Sequence, residues 1–298
     1  MYNNPLVSVA IVTYNQKDFL KNAIESVLKQ NYINIEIVVG DDCSSDGSQQ
    51  LLLEYAAKYP DKFILILSER NEGITKNANK VQDACNGKYI AWLGGDDLML
   101  PTKIKKQVEF LETNEDYNIV YHNLDVFESS SDKHLYFYNS AKDKHTGDIK
   151  MLIKHGTFNG ACSSMFRRSA APYPGYEPLL IVASDWLYNV EHLRDGKKIG
   201  YIDEVLGRYR RHQNNVSSAA SPLAKQGLAD TFKTAEILLS KYPQCKKEIY
   251  YWYSTYYRGR RKYSYSESLK KSIYYNNFNF KSLLLLIVYT ISFKKIKM

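Results

Sequence analysis

The stretch GKYIAWLGGDDLMLP, from Gly87 to Pro101, contains the feature that decides the fold. Its apolar part, Tyr89 to Leu93, predicts a buried strand that ends in two glycines and two adjacent carboxylates, Asp96 and Asp97. Carboxylates beside flexible backbone can hold a hard divalent cation that keeps coordination positions for water and substrate phosphates. An isolated run of this kind is more often a solvated turn, so the rest of the chain decides between these interpretations.

Predicted strands and helices alternate on both sides of this stretch. Further strands are predicted at Leu6 to Val12, Ile35 to Val39 and Phe63 to Leu67, and helices at Asp18 to Lys29, Leu51 to Lys58, Gly73 to Asn86 and after Pro101. Gly87 is expected to cap the third helix. Repeated strand-helix units require a mixed, mainly parallel sheet with right-handed crossovers and flanking helices, so an α/β, Rossmann-like fold is predicted.

Three polar clusters follow three of these strands. They are Thr13 to Asn15, Asp41 to Ser45, and Gly94 to Asp97. Ligands of mainly parallel sheets bind beyond the carboxyl ends of the strands, where all three clusters fall. Their convergence favours a binding site over a set of solvated turns.

The chemistry of these clusters predicts a nucleotide pocket made of side chains. The chain lacks both the Gly-x-Gly-x-x-Gly fingerprint and a Walker-type phosphate loop. Thr13 and Tyr14 are placed to meet a base or ribose, and Asp42 can accept a hydrogen bond from a base imino group. Because carboxylates repel phosphates, this interpretation requires a cation, held by Asp97, on the diphosphate.

Composition limits the compartment and the partners. The four cysteines among 298 residues lie far apart, without zinc-type spacing, which favours a reduced, cytosolic protein. The N-terminus lacks the pattern of a secretory signal. The longest apolar run, Leu283 to Phe293, is too short to span a bilayer. Residues from Lys241 onward contain ten Lys, three Arg and two Glu, so a basic tail of +11 follows a body of −3.

The first 215 residues resemble the family-two glycosyltransferases, which have the GT-A fold. The resemblance rests on motifs in order: VSVAIVTYN at Val7, the helix end Ser26 to Gln30 before Tyr32, IVVGDDCSSDG at Ile37, Asn71-x-Gly73, the Gly87 to Pro101 stretch, Ser184-Asp185-Trp186, and RYRRHQNNVS at Arg208. It implies transfer of a sugar from a nucleotide sugar, with inversion at the anomeric carbon and with Mn²⁺ or Mg²⁺ as cofactor.

The resemblance also implies roles for the residues at the strand ends. Asp42 resembles the uracil-binding carboxylate, Asp96 the residue near the ribose and sugar, and Asp97 the metal ligand. Thr13 and Tyr14, with Asn15 beside them, resemble the uridine wall.

The loop that begins at Asn71 departs from the family pattern. In many relatives it leads to an arginine near the diphosphate, where this chain has Ala78 with Lys76 and Asn79 beside it. Asn71 is expected at the donor, and Lys76 is a candidate replacement that supplies a point charge instead of a guanidinium fork.

Asp185 is the candidate general base. Direct displacement needs one base to take the proton of the attacking hydroxyl. Asp185 precedes the helix-like Trp186 to Leu193, where a carboxylate is favoured by the helix dipole, and its place matches the base of the family. The alternative is that it only caps this helix.

His212 follows a predicted strand, Val205 to Tyr209, and is flanked by Arg210 and Arg211. The cluster suits a diphosphate, and in some relatives a histidine here contacts metal or phosphate. The alternative is a basic surface loop.

The predicted domains are a GT-A domain, 1–220, with a nucleotide-binding half, 1–120, and an acceptor half, 121–220, followed by a helical extension, 221–298. Residues 243–298 interleave tyrosines with cations, which suits the inner face of the cell membrane. Tyrosines and cations could also bind single-stranded nucleic acid by stacking and phosphate pairing. No nucleic-acid motif accompanies them, so no nucleic-acid partner is expected. A third interpretation is that this region packs against the rest of the chain.

Together these features predict an inverting, metal-dependent glycosyltransferase that moves a hexose or N-acetylhexosamine from a UDP-sugar to a lipid-linked glycan of a surface polysaccharide. One alternative is a nucleotidyltransferase, although Thr13 to Asn15 does not supply its Gly- and Arg-rich loop. Another is a non-catalytic, membrane-associated glycan-binding module.

Overall fold

The computed structural model describes residues 4–139, 144–182, 184–216, 218, 221–262, 264–276 and 279–291. The strands are β1 (Val7–Thr13), β2 (Ile35–Asp41), β3 (Phe63–Leu67), β4 (Tyr89–Gly94), β5 (Leu98–Met99), β6 (Tyr117–Glu128), β7 (His134–Phe137), β8 (Met165–Arg167) and β9 (Lys198–Arg211). The helices are α1 (Lys17–Leu28), α2 (Ser48–Lys58), α3 (Ile74–Ala84), α4 (Lys103–Thr113), α5 (Ile149–His155), α6 (Asp185–His192), α7 (Ala224–Lys241), α8 (Lys246–Gly259), α9 (Tyr265–Tyr275) and α10 (Phe280–Ile291).

Within the described residues, nine strands form one mixed sheet in the order β3-β2-β1-β4-β8-β6-β9-β5, and β7 pairs with β6. β1 is parallel to β2 and β4, β2 is parallel to β3, and β6 is parallel to β9. Only the short strands β5, β7 and β8 run antiparallel to their described neighbours. The predicted mixed, mainly parallel α/β sheet is therefore confirmed, and α7 to α10 confirm the helical C-terminal extension.

The core forms where the central strands meet the helices. β1 and β4 are buried over nearly their whole length, as expected for parallel strands covered on both faces. On α1 the buried side chains are Leu20, Ala23, Ile24 and Val27, which share one face at helical spacing. This packing fixes the strands whose carboxyl ends carry the polar clusters.

The predicted capping role of Gly87 is wrong. α3 ends at Ala84, with Cys85 as its C-terminal cap. The backbone N–H of Gly87 instead donates to the hydroxyl of Ser8, at 2.8 Å. A Cβ atom at Gly87 would lie 2.5 Å from the backbone nitrogen of Ser8, so a glycine is needed for this close approach to β1.

Lys103, at the start of α4, is completely buried. Among the described residues its ammonium nitrogen has no hydrogen-bond partner. Burial lowers the pKa of Lys103 to about 7, because the charged form is costly away from water. This lysine therefore opposes folding at neutral pH.

We expect Lys103→Met to increase the free energy of unfolding at pH 7 by about 1–3 kcal/mol, the cost of an unpaired buried polar group. Between pH 7 and 10 the unfolded chain holds the lysine proton more tightly than the folded chain, so wild-type stability should gain from this group as pH rises. The methionine variant should lack that gain. Urea unfolding at pH 7 and 9 measures both effects, with the half-exposed Lys105→Met as control. A variant no more stable than wild type would contradict this account.

The described residues pack as two compact units. One consists of residues within 1–149 and 157–234, and the other of residues within 150–156 and 235–298. The functional division at residue 220 stays a prediction. Among the described residues, no helix is both long enough and apolar enough to cross a membrane.

Candidate functional site

The loops after β1 and β2 are joined at the carboxyl edge of the sheet. The backbone N–H of Asn15 donates to Ser44 Oγ, and Asn15 Oδ1 accepts the N–H of Ser45, both at 2.8 Å. The N–H of Asp42 donates to the carbonyl of Thr13 at 3.1 Å. Tyr14 is 47% exposed between them. The residues predicted to line the uridine therefore lie together.

Asp42 connects β2 to the start of α3. Its buried carboxylate accepts the N–H groups of Glu72 and Gly73, both at 2.8 Å. Asn71 Oδ1 also accepts the N–H of Gly73, at 3.1 Å. Carboxylate oxygens have several lone-pair sites, so Asp42 can still accept a bond from a ligand.

Asp96 faces His212, at the end of β9. Asp96 Oδ2 lies 2.8 Å from His212 Nε2 and accepts a hydrogen bond from the side-chain amide of Asn215 at 3.1 Å. Asn215 Oδ1 accepts the backbone N–H of His212 at 2.7 Å, and the ring of Phe19 packs 4.7 Å from the imidazole. The histidine is thus held against the carboxylate from two sides. The role of Asn215 was missed, although it lies within the RYRRHQNNVS motif.

Asp97 has a different environment from its neighbour. It is buried, and Oδ1 accepts the backbone N–H of Arg210 at 2.9 Å. The buried thiol of Cys162 also hydrogen-bonds to it. Burial, and next the charge of Asp96, raise the pKa of Asp97 well above its ordinary value. Its contacts fasten β9 to the sheet, and its role as metal ligand stays a prediction.

The basic residues predicted at the donor are not brought together. Arg210 is buried, its Nε donates to the carbonyl of Asp96 at 2.8 Å, and its guanidinium lies over the rings of Phe19 and Phe127.

Arg211 donates instead to the hydroxyl of Tyr136 on β7, at 3.4 Å. Adjacent strand residues point to opposite faces, which explains the separation. Lys76 is exposed on α3, outside these contacts.

The Asp96 and His212 pair fits a divalent cation in part. In the described part of the chain, no group of three or more His, Cys, Asp or Glu side chains could hold a metal ion. One carboxylate and one imidazole are enough only where the substrate supplies phosphate oxygens and water completes the shell, as is usual for Mg²⁺ at nucleotides.

Asp185 is the first residue of α6 and is partly buried. Its carboxylate makes no hydrogen bond to any described residue. The N-cap of the helix, Ser184, makes no side-chain cap. Burial raises the pKa of Asp185 to about 6. Burial, then Cys162, and then the charge of Asp185 raise the pKa of Tyr138 to about 12. A carboxyl group of this kind can act as a general base near neutral pH.

The sequence of the chain matches a known protein family. The family model described as "Glycosyl transferase family 2" matches residues 8–172, more than half of the chain. A glycosyltransferase of Methanocaldococcus jannaschii, named as uncharacterised, is 28% identical over 258 residues, which cover 86% of this chain and 87% of that protein.

Two further comparisons bear on length and fold. An uncharacterised protein of Mycobacterium tuberculosis is 28% identical over 218 residues, and this match spans 72% of the chain but only 61% of that protein. The crystal structure of Staphylococcus aureus TarS 1-349 in complex with UDP-GlcNAc superposes with a TM-score of 0.70 at 16% identity, covering 97% of this chain and 88% of that 1-349 chain. That likeness confirms the GT-A fold, and the match to the family model shows that the chain belongs to glycosyl transferase family 2.

Proposed function

We propose that this glycosyltransferase transfers a hexose or N-acetylhexosamine, with inversion, from a UDP-sugar to a glycan acceptor in surface polysaccharide synthesis. The Asp96 and His212 pair, at the same sheet edge as Asp42, carries this proposal. In this proposal Asp42 accepts a hydrogen bond from the uracil. The likeness of the fold to TarS, solved with UDP-GlcNAc, supports a uridine donor.

The proposed metal site is formed by Asp96 and His212. This exchanges the roles of the two adjacent carboxylates, because Asp97 is buried and already bonded to Arg210. A divalent cation bound there, Mn²⁺ or Mg²⁺, would neutralise charge on the diphosphate as the bond to the sugar breaks. Arg210, behind Asp96, keeps positive charge close to the site.

Asp185 is the proposed base. Its carboxylate takes the proton of the acceptor hydroxyl while that oxygen attacks the anomeric carbon, and the bond to UDP breaks on the opposite face. Inversion follows from this single displacement.

The proposal is tested by release of UDP from a panel of UDP-sugars, with and without Mn²⁺ and a polyprenyl-linked glycan acceptor. We expect one UDP-sugar to be turned over, faster with the cation and fastest with acceptor. If no UDP-sugar is bound or turned over, the proposed donor class is wrong.

We expect the rate at saturating donor to fall about tenfold per pH unit below pH 6 and to level off above pH 7. The base must be ionised, and burial raises the pKa of Asp185 to about 6. A pH profile of kcat measures the acid limb, and any residual activity of Asp185→Asn should lack it. A wild-type limb near pH 4 would contradict the role of this carboxyl group.

We also propose that residues 243–298 bind the inner face of the cell membrane, where a lipid-linked acceptor would lie. In support, α10 exposes five apolar side chains at helical spacing along one face: Phe280, Leu283, Leu284, Ile287 and Ile291. The Lys-rich sequence at 292–298 lies outside the described residues.

A double substitution, Leu284→Asp with Ile287→Asp, should reduce co-sedimentation of the full chain with vesicles containing anionic lipid by about tenfold or more, because two exposed apolar groups are replaced by charges that anionic lipid repels. Ile33→Asp, at a more exposed apolar position in the other unit, serves as control. Unchanged sedimentation of the double variant would contradict membrane binding. If the double variant instead keeps lipid binding and loses a dimer that the wild type forms, the exposed apolar face of α10 binds a second copy of the chain.

A further inference from the structure

One face of α3 carries three polar side chains, Thr75, Asn79 and Gln82. Their spacing of four and three residues places them on one side of the helix. All three bond to the segment 172–182, which contains no strand or helix and leads to Asp185. This polar face has no role in the proposed donor site.

The first two side chains hold the backbone of the segment. Thr75 Oγ1 donates to the carbonyls of Leu180, at 2.6 Å, and Ile181, at 3.1 Å. Asn79 makes a two-way pair with Tyr176, donating to its carbonyl at 2.8 Å and accepting its N–H at 2.7 Å. These bonds pair backbone N–H and C=O groups that would otherwise be paired within a sheet or a helix.

Gln82 holds both the start of the segment and helix α6. Its Nε2 donates to the carbonyl of Pro172 at 3.1 Å, and its Oε1 accepts the hydroxyl of Tyr188 at 2.7 Å. Gly175, at a φ of 109°, allows the close approach, since a Cβ there would lie 2.5 Å from Asn79 Oδ1.

The two ends of α3 reach different parts of the site. At its start, Asp42 accepts the N–H groups of Glu72 and Gly73. On its polar face, Tyr176 stacks on Tyr188 with ring centroids 4.0 Å apart and planes within 6°. Tyr188 lies one turn after Asp185 on α6. Hydrogen bonds at both ends of α3, and the first turn of α6, therefore link the predicted nucleotide carboxylate to the predicted base.

We propose that Thr75, Asn79 and Gln82 are positioning residues, which hold Asp185 in place relative to a nucleotide bound at Asp42. Binding of the nucleotide at Asp42 then steadies the segment 172–182, which leads to the base. This inference rests on the proposed function, and the three α3 residues are separate from the proposed donor residues and from the proposed base.

Thr75→Val removes the hydroxyl with little change in shape, while Thr75→Ser keeps it. We expect the valine variant to lower kcat for UDP release in the presence of acceptor by about tenfold, because small misplacement of a catalytic group has large kinetic effects. KM for the UDP-sugar should change by less than about twofold, and Thr75→Ser should retain most of the activity.

Two further variants guard against a simple folding defect. Thr113→Val, at the end of α4, removes an exposed hydroxyl that bonds to its own helix and to the adjacent Asn114, and should behave as wild type. Tyr188→Phe keeps the ring but loses the bond to Gln82, and should reproduce the loss of kcat. Thermal unfolding confirms that each variant is folded at the assay temperature.

Hydrogen exchange of the full chain gives a readout independent of turnover. UDP with Mn²⁺ should slow exchange within 172–182 in the wild type and in Thr75→Ser, and much less in Thr75→Val. A wild type that turns over UDP-sugar, with Thr75→Val matching Thr75→Ser in kcat and exchange, would overturn this inference alone. Absence of both turnover and UDP-dependent protection in the wild type would overturn it together with the proposed function.

Discussion

Asp185→Asn should lose transfer almost completely while still binding the donor. A general base contributes about 10² to 10⁴ in rate, so kcat should fall by that factor. The amide cannot accept the hydroxyl proton, but its shape preserves the start of α6. The carboxylate makes no hydrogen bond to any described residue, so the substitution breaks no contact there. Transfer to acceptor and titration with UDP measure the two effects separately.

The control for this variant is Asp203→Asn, an exposed carboxylate on β9 that pairs with Lys144. It should leave both kcat and UDP binding unchanged. An Asp185→Asn enzyme with wild-type turnover would show that the carboxylate is not the base. Loss of UDP binding would show that Asp185 acts on the donor side.

Asp96→Asn should abolish the strengthening of UDP binding by Mn²⁺ and reduce turnover by about 10² to 10³, since cation stabilisation of a leaving diphosphate contributes several kcal/mol. The new asparagine can accept the bond from Asn215 only with its amide oxygen facing Asn215. It has no negative charge to attract the cation. Titration of UDP at several Mn²⁺ concentrations measures the loss.

Asp97→Asn provides the contrast. Its amide oxygen can still accept the N–H of Arg210, so the variant should keep most of the dependence of UDP binding on Mn²⁺. If Asp97→Asn loses that dependence while Asp96→Asn keeps it, Asp97 is the metal ligand, as the sequence predicts, and Asp96 is not.

The sequence predicted the first strands and helices of the sheet well because their signals are local. β3 has the predicted bounds, Phe63 to Leu67, and β2 begins at the predicted Ile35. Apolar runs and turn-forming clusters mark such elements without information from distant residues. The convergence of polar clusters followed from one topological rule, that parallel strands end at the same edge of a sheet.

The details of the site depended on contacts between residues far apart in the chain. Asp96 and Asp97 are adjacent and chemically identical, yet one faces His212 and the other bonds to Arg210 and Cys162. Nothing local distinguishes them, because burial is decided by β9 and by the turn at Cys162. The cap expected at Gly87 failed for the same reason, since its contact is with Ser8 on β1.

The contacts made by the polar face of α3 could not be predicted from sequence patterns either. Thr75, Asn79 and Gln82 bond mainly to backbone groups about one hundred residues away, and backbone acceptors leave no signature in the sequence. In the sequence, Asn79 is distinguished only by its place beside the position where many relatives have an arginine.

The most direct test of the central claim is calorimetric titration of the wild-type chain with UDP, with and without Mn²⁺. We predict binding at one site that Mn²⁺ strengthens by about tenfold or more. No binding of UDP with the cation present would contradict a nucleotide diphosphate site at Asp42, Asp96 and His212.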